Sequence, residues 1–138
     1  MKTHGSCSCG DVTFEVDGEP LAQLYCHCRS CQTAHAAPLV AAALFPASSV
    51  SYRGEVKRVR VTQREDAPHR LTCPSCGTKV LNEPFPTVRC VLVPLCATRD
   101  WFKPTMHVEW RDRLVEVADG LPRYRDYPKE LGGTGELA

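Results

Sequence analysis

Where the cysteines sit constrains this chain more than any other feature. Seven of its nine cysteines fall in three tight clusters: Cys7 with Cys9, Cys26 with Cys28 and Cys31, and Cys73 with Cys76. Thiolates two or three residues apart can bind one metal ion from a single turn of backbone. Cys7, Cys9, Cys73 and Cys76 make four ligands, the number of a closed tetrahedral site. Cys26, Cys28 and Cys31 make three, which leaves a position for water or substrate. Four-ligand zinc is typically structural and three-ligand zinc typically catalytic. The clusters therefore predict two Zn2+ ions per chain, one structural and one catalytic. Spacing alone leaves two alternatives open. Cys26 and Cys28 could pair with Cys73 and Cys76, leaving Cys7 and Cys9 spare. A histidine (His27, His35 or His107) could also close the three-cysteine site, although His27 is wedged between two ligands and would ordinarily point away from a metal.

The residues around the clusters fit metal-binding turns. Gly77 follows Cys73-Pro74-Ser75-Cys76 and Gly10 follows Cys7-Ser8-Cys9; glycine supplies the positive φ with which such a turn leaves the second cysteine. Two such turns about 60 residues apart would pin the start of the chain to its middle, and the binding energy of a structural zinc is largely folding energy. Three thiolates around Zn2+ leave the ion with one net negative charge. A centre of that kind is a modest Lewis acid for water but a good binder of a fourth, soft thiolate. The site thus suits a thiol substrate better than peptide hydrolysis.

A length of 138 residues suits one domain with a real hydrophobic core. A net charge of +1 gives no bulk electrostatic case for a nucleic-acid or anionic-membrane partner. The longest apolar run, Pro38 to Pro46, falls short of the roughly 18 residues that span a bilayer. The N-terminus lacks an apolar signal region. Nine cysteines without an export signal point to a reducing, cytoplasmic setting.

With 11 Pro and 9 Gly, the chain is punctuated too often for long helices. Val12, Phe14 and Val16 alternate with Thr13 and Glu15 as in a half-buried strand. Leu39 to Phe45 and Thr87 to Val93 read as buried strands closed by Pro46 and Pro94. Val50 to Arg53 and Val56 to Thr62 read as two strands joined around Gly54. Val108 to Trp110 and Leu114 to Val117 read as a further pair turning at Arg111-Asp112-Arg113. A short helix is predicted from Arg29 to Ala36, just after the middle cluster, and another turn from Pro46. The expectation is a mainly β domain over residues 1–128, with a loose tail over 129–138.

Cys90 and Cys96 read as core residues. Arg29, inside the metal turn, is the best candidate to bind a ligand carboxylate; Arg58, Arg60 and Lys79 are weaker ones. Trp101, Phe102 and Trp110 could line a pocket but fit an aromatic core better.

Three ordered motifs carry a family resemblance: Gly-Ser-Cys-Ser-Cys-Gly at residues 5–10, Tyr-Cys-His-Cys-Arg-Ser-Cys-Gln at 25–32, and Thr-Cys-Pro-Ser-Cys-Gly-Thr at 72–78. Together with Pro104-Thr105-Met106-His107-Val108 and Asp119-Gly120-Leu121-Pro122, they resemble the glutathione-dependent formaldehyde-activating enzymes, a family that includes centromere protein V. The resemblance runs from about Gly5 to Tyr127. It implies a β-tent fold of short antiparallel sheets held by zinc knuckles, with one or two short helical turns. It also implies a structural zinc on the first and third clusters and a catalytic zinc on the middle one. Many members carry a basic residue and a Ser-Gly pair after the middle cluster, where this chain has Gln32-Thr33-Ala34-His35-Ala36.

Two functions follow. One is a carbon–sulfur lyase acting on a glutathione or other thiol adduct, such as an S-hydroxymethyl adduct, with the thiol held at Cys26, Cys28 and Cys31. The other is a non-catalytic zinc-binding module whose β surface binds a protein partner.

Overall fold

The computed structural model describes residues 1–138. The chain is mainly β, as expected: ten strands in two sheets and one α-helix, with short 3-10 turns between them. No helix is long and apolar enough to cross a membrane. Two compact units emerge, one from Met1–Ala22 with Ala43–Phe102, the other from Gln23–Ala42 with Lys103–Ala138.

The first unit contains β1 (Lys2–Ser6) and β2 (Thr13–Asp17). Val12, Phe14 and Val16 are almost wholly buried while Thr13, Glu15 and Asp17 face out. β2 pairs antiparallel with β1, placing Phe14 opposite Gly5. Next along the chain comes β3 (Ala22–Cys26), which is followed by α1 (Arg29–His35) and β4 (Val40–Pro46). A 3-10 turn over Ala47–Ser49 realises the turn expected from Pro46.

The next strands are β5 (Val50–Arg53) and β6 (Lys57–Arg60). They do not form the pair that their junction at Gly54 suggested: β5 pairs with β2 across the three-stranded sheet, whereas β6 pairs with β7 (His69–Thr72). The physical reason lies in their side chains. Every residue of β6 is exposed, so no apolar face ties it to β5. The antiparallel run continues from β7 to β8 (Lys79–Phe85) and β9 (Val88–Leu92). Leu71, Val80, Leu81 and Val91 fill this part of the core, and Cys90 and Cys96 are buried as expected.

In the second unit β10 (Met106–Val108) runs parallel to β3, with Val108 opposite Cys26. The strand expected at Leu114 to Val117 does not form. Leu114 is 71% exposed, Trp110–Asp112 is a 3-10 turn, and neither segment gains a ladder partner. Residues 129–138, expected as a loose tail, carry a 3-10 turn over Lys129–Leu131 and hydrogen-bond back onto the chain. The Arg125 N–H donates to the Glu136 carbonyl, and the Ala138 N–H to that of Arg123.

Helix α1 ends where expected, through an unusual residue. Ala36 takes the left-handed conformation, with φ 48° and ψ 45°. There its N–H and that of Ala37 both donate to the Gln32 carbonyl. Glycine is the usual residue at such a helix end, and an L residue with a Cβ carries about 1–2 kcal/mol of strain there. The extra freedom that glycine gives the unfolded chain offsets about 0.4–1 kcal/mol of this. Ala36→Gly is therefore expected to stabilise the protein by roughly 0.5–1 kcal/mol, read as a rise in the urea midpoint at unchanged slope. A fall in the midpoint would show that Ala36 is unstrained.

Candidate metal centres

The first unit gathers Cys7, Cys9, Cys73 and Cys76, whose sulfurs all lie within 4.8 Å of one another. The two turns that deliver them are built alike. The Cys7 N–H donates to the Val12 carbonyl and the Cys73 N–H to the Thr78 carbonyl, both at 2.9 Å. Gly10 and Gly77 follow with φ of 84° and 80°, as the Cys-Gly pattern anticipated. Their N–H groups donate back to the Cys7 and Cys73 carbonyls. Cys7 and Cys9 sulfurs stand 3.6 Å apart, and those of Cys9 and Cys73 3.8 Å. A tetrahedral ion with ligand bonds near 2.3 Å would hold its sulfurs about 3.8 Å apart. The spacing therefore fits a zinc–thiolate site, and disulfides would need the sulfurs at about 2 Å.

Electrostatics point the same way. Thr78 places both its hydroxyl and its N–H against Cys76, and with the Cys9 N–H they bring that thiol down to about 5. Burial pushes Cys7 up, but the Val12 N–H and the Cys9 and Cys73 thiols outweigh it and leave Cys7 below its ordinary value. The Asp11 N–H favours the Cys9 thiolate, yet burial and the three neighbouring thiols push Cys9 up to about 12. Four sulfurs this close cannot all ionise until a cation stands between them.

Cys26, Cys28 and Cys31 come together in the second unit, again with sulfurs within 4.8 Å. Cys26 ends β3. Cys28 caps α1, its sulfur accepting the Cys31 N–H at 3.2 Å. Cys31 lies one turn into the helix, its sulfur 3.7 Å from that of Cys26. Hydrogen bonding with Cys28 and Cys31, followed by burial, holds the Cys26 thiol well above its usual range. Neither alternative left open by spacing is realised. Cys73 and Cys76 group with Cys7 and Cys9, and no histidine nitrogen joins either ligand set. The three-cysteine group could hold a metal ion and leave a tetrahedral position for a fourth ligand.

Sequence reasoning did not anticipate what surrounds the trio. His27 is fully buried and points away from the sulfurs' ligand set, its Nε2 2.8 Å from His107 Nδ1. His107, also fully buried, presents Nε2 to Asp119 Oδ2 at 2.9 Å. Trp110 packs edge-on against both imidazoles and carries the Arg113 and Arg123 guanidiniums over its ring. Glu109 holds a left-handed backbone, φ 53°, uncommon outside glycine. Burial raises its carboxyl above the usual range against the opposing pull of Arg111. Burial, and then the charges of Cys26 and Cys28, raise the Tyr127 phenol. The only sequence signal for this set was the His107 and Asp119 motifs, which no spacing rule connects to His27.

Arg29 opens α1 with its N–H on Asp112 Oδ2 at 3.4 Å. Exposed, it lines a cavity of about 350 Å³ with Gln32, Thr33, Pro38 and Leu114. The weaker candidates are engaged elsewhere: Arg58 pairs with Glu83, Arg60 donates to the Arg64 carbonyl, and Lys79 to that of Gly77. Trp110 lies in the core as expected, whereas Trp101, packed against Phe45 and Phe102, is only half-buried, as is Phe102.

The family model for glutathione-dependent formaldehyde-activating enzyme matches residues 2–112. No curated protein matches the chain. Among solved structures, that of a Rhodobacter sphaeroides protein from a structural genomics programme superposes with a TM-score of 0.52. It is 21% identical, and the match covers 96% of each chain. At that identity the likeness concerns the fold.

Thr78 also links the two turns of the four-cysteine group. Its hydroxyl lies 3.2 Å from the Cys76 sulfur and accepts the Ser8 N–H at 3.1 Å. Thr78→Val keeps the shape and removes both bonds. Hydrogen bonds to charged groups are the stronger ones, so the metal-loaded variant is expected to unfold at a lower urea midpoint than the parent. Thr78→Ser is expected to recover most of the loss. A Thr78→Val protein as stable as the parent would mean that the hydroxyl does not support the thiolate.

Proposed function

From the premise that this chain belongs to the glutathione-dependent formaldehyde-activating enzyme family, we propose that it is a zinc-dependent enzyme making or breaking a carbon–sulfur bond in a small thiol adduct. The single observation that carries this reading is the three-sulfur group with no fourth protein ligand. Zinc held there would supply a Lewis acid that favours the thiolate form of a thiol ligand. Cys26, Cys28 and Cys31 hold the centre from a strand end and one helical turn. Arg29, exposed beside the cavity on α1, receives a carboxylate of a glutathione-like substrate. The four-cysteine group is the structural site, because its ligands come from two turns far apart in sequence. On this reading the protein acts on a free small molecule.

Glutathione added to the cobalt-substituted protein tests the proposal. The expected result is a change in the thiolate-to-cobalt absorption, with a proton released on binding and affinity rising as pH approaches the thiol's own pKa, about 8.5–9. Alanine at Arg29 is expected to weaken glutathione more than a thiol without carboxylates. If glutathione and several other thiols leave the cobalt spectrum untouched, the non-catalytic module becomes the better reading.

A further inference from the structure

The trio is joined to the surface by a hydrogen-bonded chain whose polarity follows from its far end. Asp119 Oδ1 accepts the Leu121 N–H at 3.1 Å, and Oδ2 faces His107 Nε2. Burial opposes ionisation of Asp119, but the Leu121 N–H and His107 hold its carboxyl below the usual range. A carboxylate only accepts, so His107 must carry its proton on Nε2. With both imidazoles neutral, its Nδ1 is a lone pair, and the 2.8 Å contact has His27 donating from Nε2. The His27 Nδ1 is consequently a bare lone pair, and it is buried with no protein partner. His27 is also the residue between two of the sulfur ligands. Its N–H donates to the Val108 carbonyl at 3.0 Å, and its carbonyl accepts from Gln32 Nε2 at 2.7 Å. Backbone and ring are thus pinned at three points, with Trp110 closing the remaining side.

We propose that Asp119 and His107 are positioning residues of the three-cysteine centre: acting through His27, they fix one imidazole tautomer and hold the Cys26-His27-Cys28 turn in the shape that sets two of the three sulfurs. The proposal rests on the trio binding a metal. With neutral rings the chain cannot reverse while Asp119 is a carboxylate, because each ring's proton is dictated by the one before it. Partners that orient metal ligands by hydrogen bonds are worth about 10–100-fold in metal affinity, and this hydrogen-bonded chain orients two of them through the His27 backbone.

Asp119→Asn discriminates. The Leu121 N–H keeps the amide oxygen on its own side, so the amide NH2 faces His107 and donates to Nε2. Both imidazoles must then carry their protons on Nδ1. Asp119 is partly exposed and asparagine is nearly isosteric with it, so folding is expected to survive. Imidazole nitrogen chemical shifts of the zinc-reconstituted protein report the tautomers directly, and chelator competition reports the two metal affinities separately. The expected result is an Nε2–H pattern for His27 and His107 in the parent and a reversal of both in Asp119→Asn. The trio's affinity should fall about 10–100-fold, with the four-cysteine group unchanged. Asp119→Glu, which keeps a carboxylate, should retain the parental tautomers. An Nδ1–H His27 in the parent overturns the proposal. So do unchanged tautomers in Asp119→Asn, or a reversal that leaves the trio's affinity intact. If the trio takes up no metal even in the parent, the functional reading fails, and the positioning role fails with it, whatever the tautomers show.

Discussion

Mutual repulsion among closely held thiolates is the constraint on which the rest of this molecule depends. In each cysteine group the sulfurs approach within 4.8 Å, and some of their protons become hard to remove. Backbone N–H groups and the Thr78 hydroxyl offset part of that repulsion, but they cannot neutralise it. A cation can, and its binding energy then becomes available to the fold. This matters most for the four-cysteine group. Its two turns are more than 60 residues apart in sequence, and the intervening strands carry exposed, charged residues such as those of β6. A metal held there would tie together segments that a small apolar core alone would hold less well.

The second cysteine group solves a different problem. Its ligands lie within six residues, so a metal there closes little chain and contributes less to folding. What it needs is orientation, and the second unit supplies it from distant segments. β10 brings Val108 and His107 beside β3, the Trp110 ring covers the histidine pair, and Asp119 ends the chain of hydrogen bonds. The imidazoles thereby occupy a buried position that aliphatic side chains would fill in an ordinary core. Two fully buried histidines are tolerated because three of their four ring nitrogens have partners.

Much of this was legible in the sequence where chemistry or periodicity acts locally. Spacing placed the seven cysteines in three turns, and the resemblance implied which turns share an ion; the fold brings Cys7 and Cys9 to Cys73 and Cys76. The alternation at Val12, Phe14 and Val16 gave β2, and the segment after the middle cluster gave α1 almost to the residue. The failures are equally local in origin. β1 buries Thr3 and Gly5 and so offers no apolar pattern. β8 carries Pro84, which argues against a central strand but is accommodated where the register with β9 shifts. The hydrophobic run at Leu114 looked like a strand because pattern cannot reveal the lack of a partner. The His27–His107–Asp119 chain was invisible because its members are 80 and 12 residues apart, and only the parallel pairing of β3 with β10 brings the two histidines together.

The proposed function requires one chain to hold two metals by two unlike sulfur sets. Native mass spectrometry under reducing conditions tests it most directly, applied to the parent and to the single variants Cys73→Ser and Cys28→Ser after zinc reconstitution. The expected masses correspond to two zinc ions in the parent and one in a folded Cys28→Ser protein, with Cys73→Ser failing to fold. A parent that reproducibly retains one zinc or none would contradict the account, as would a Cys28→Ser protein that unfolds as completely as Cys73→Ser.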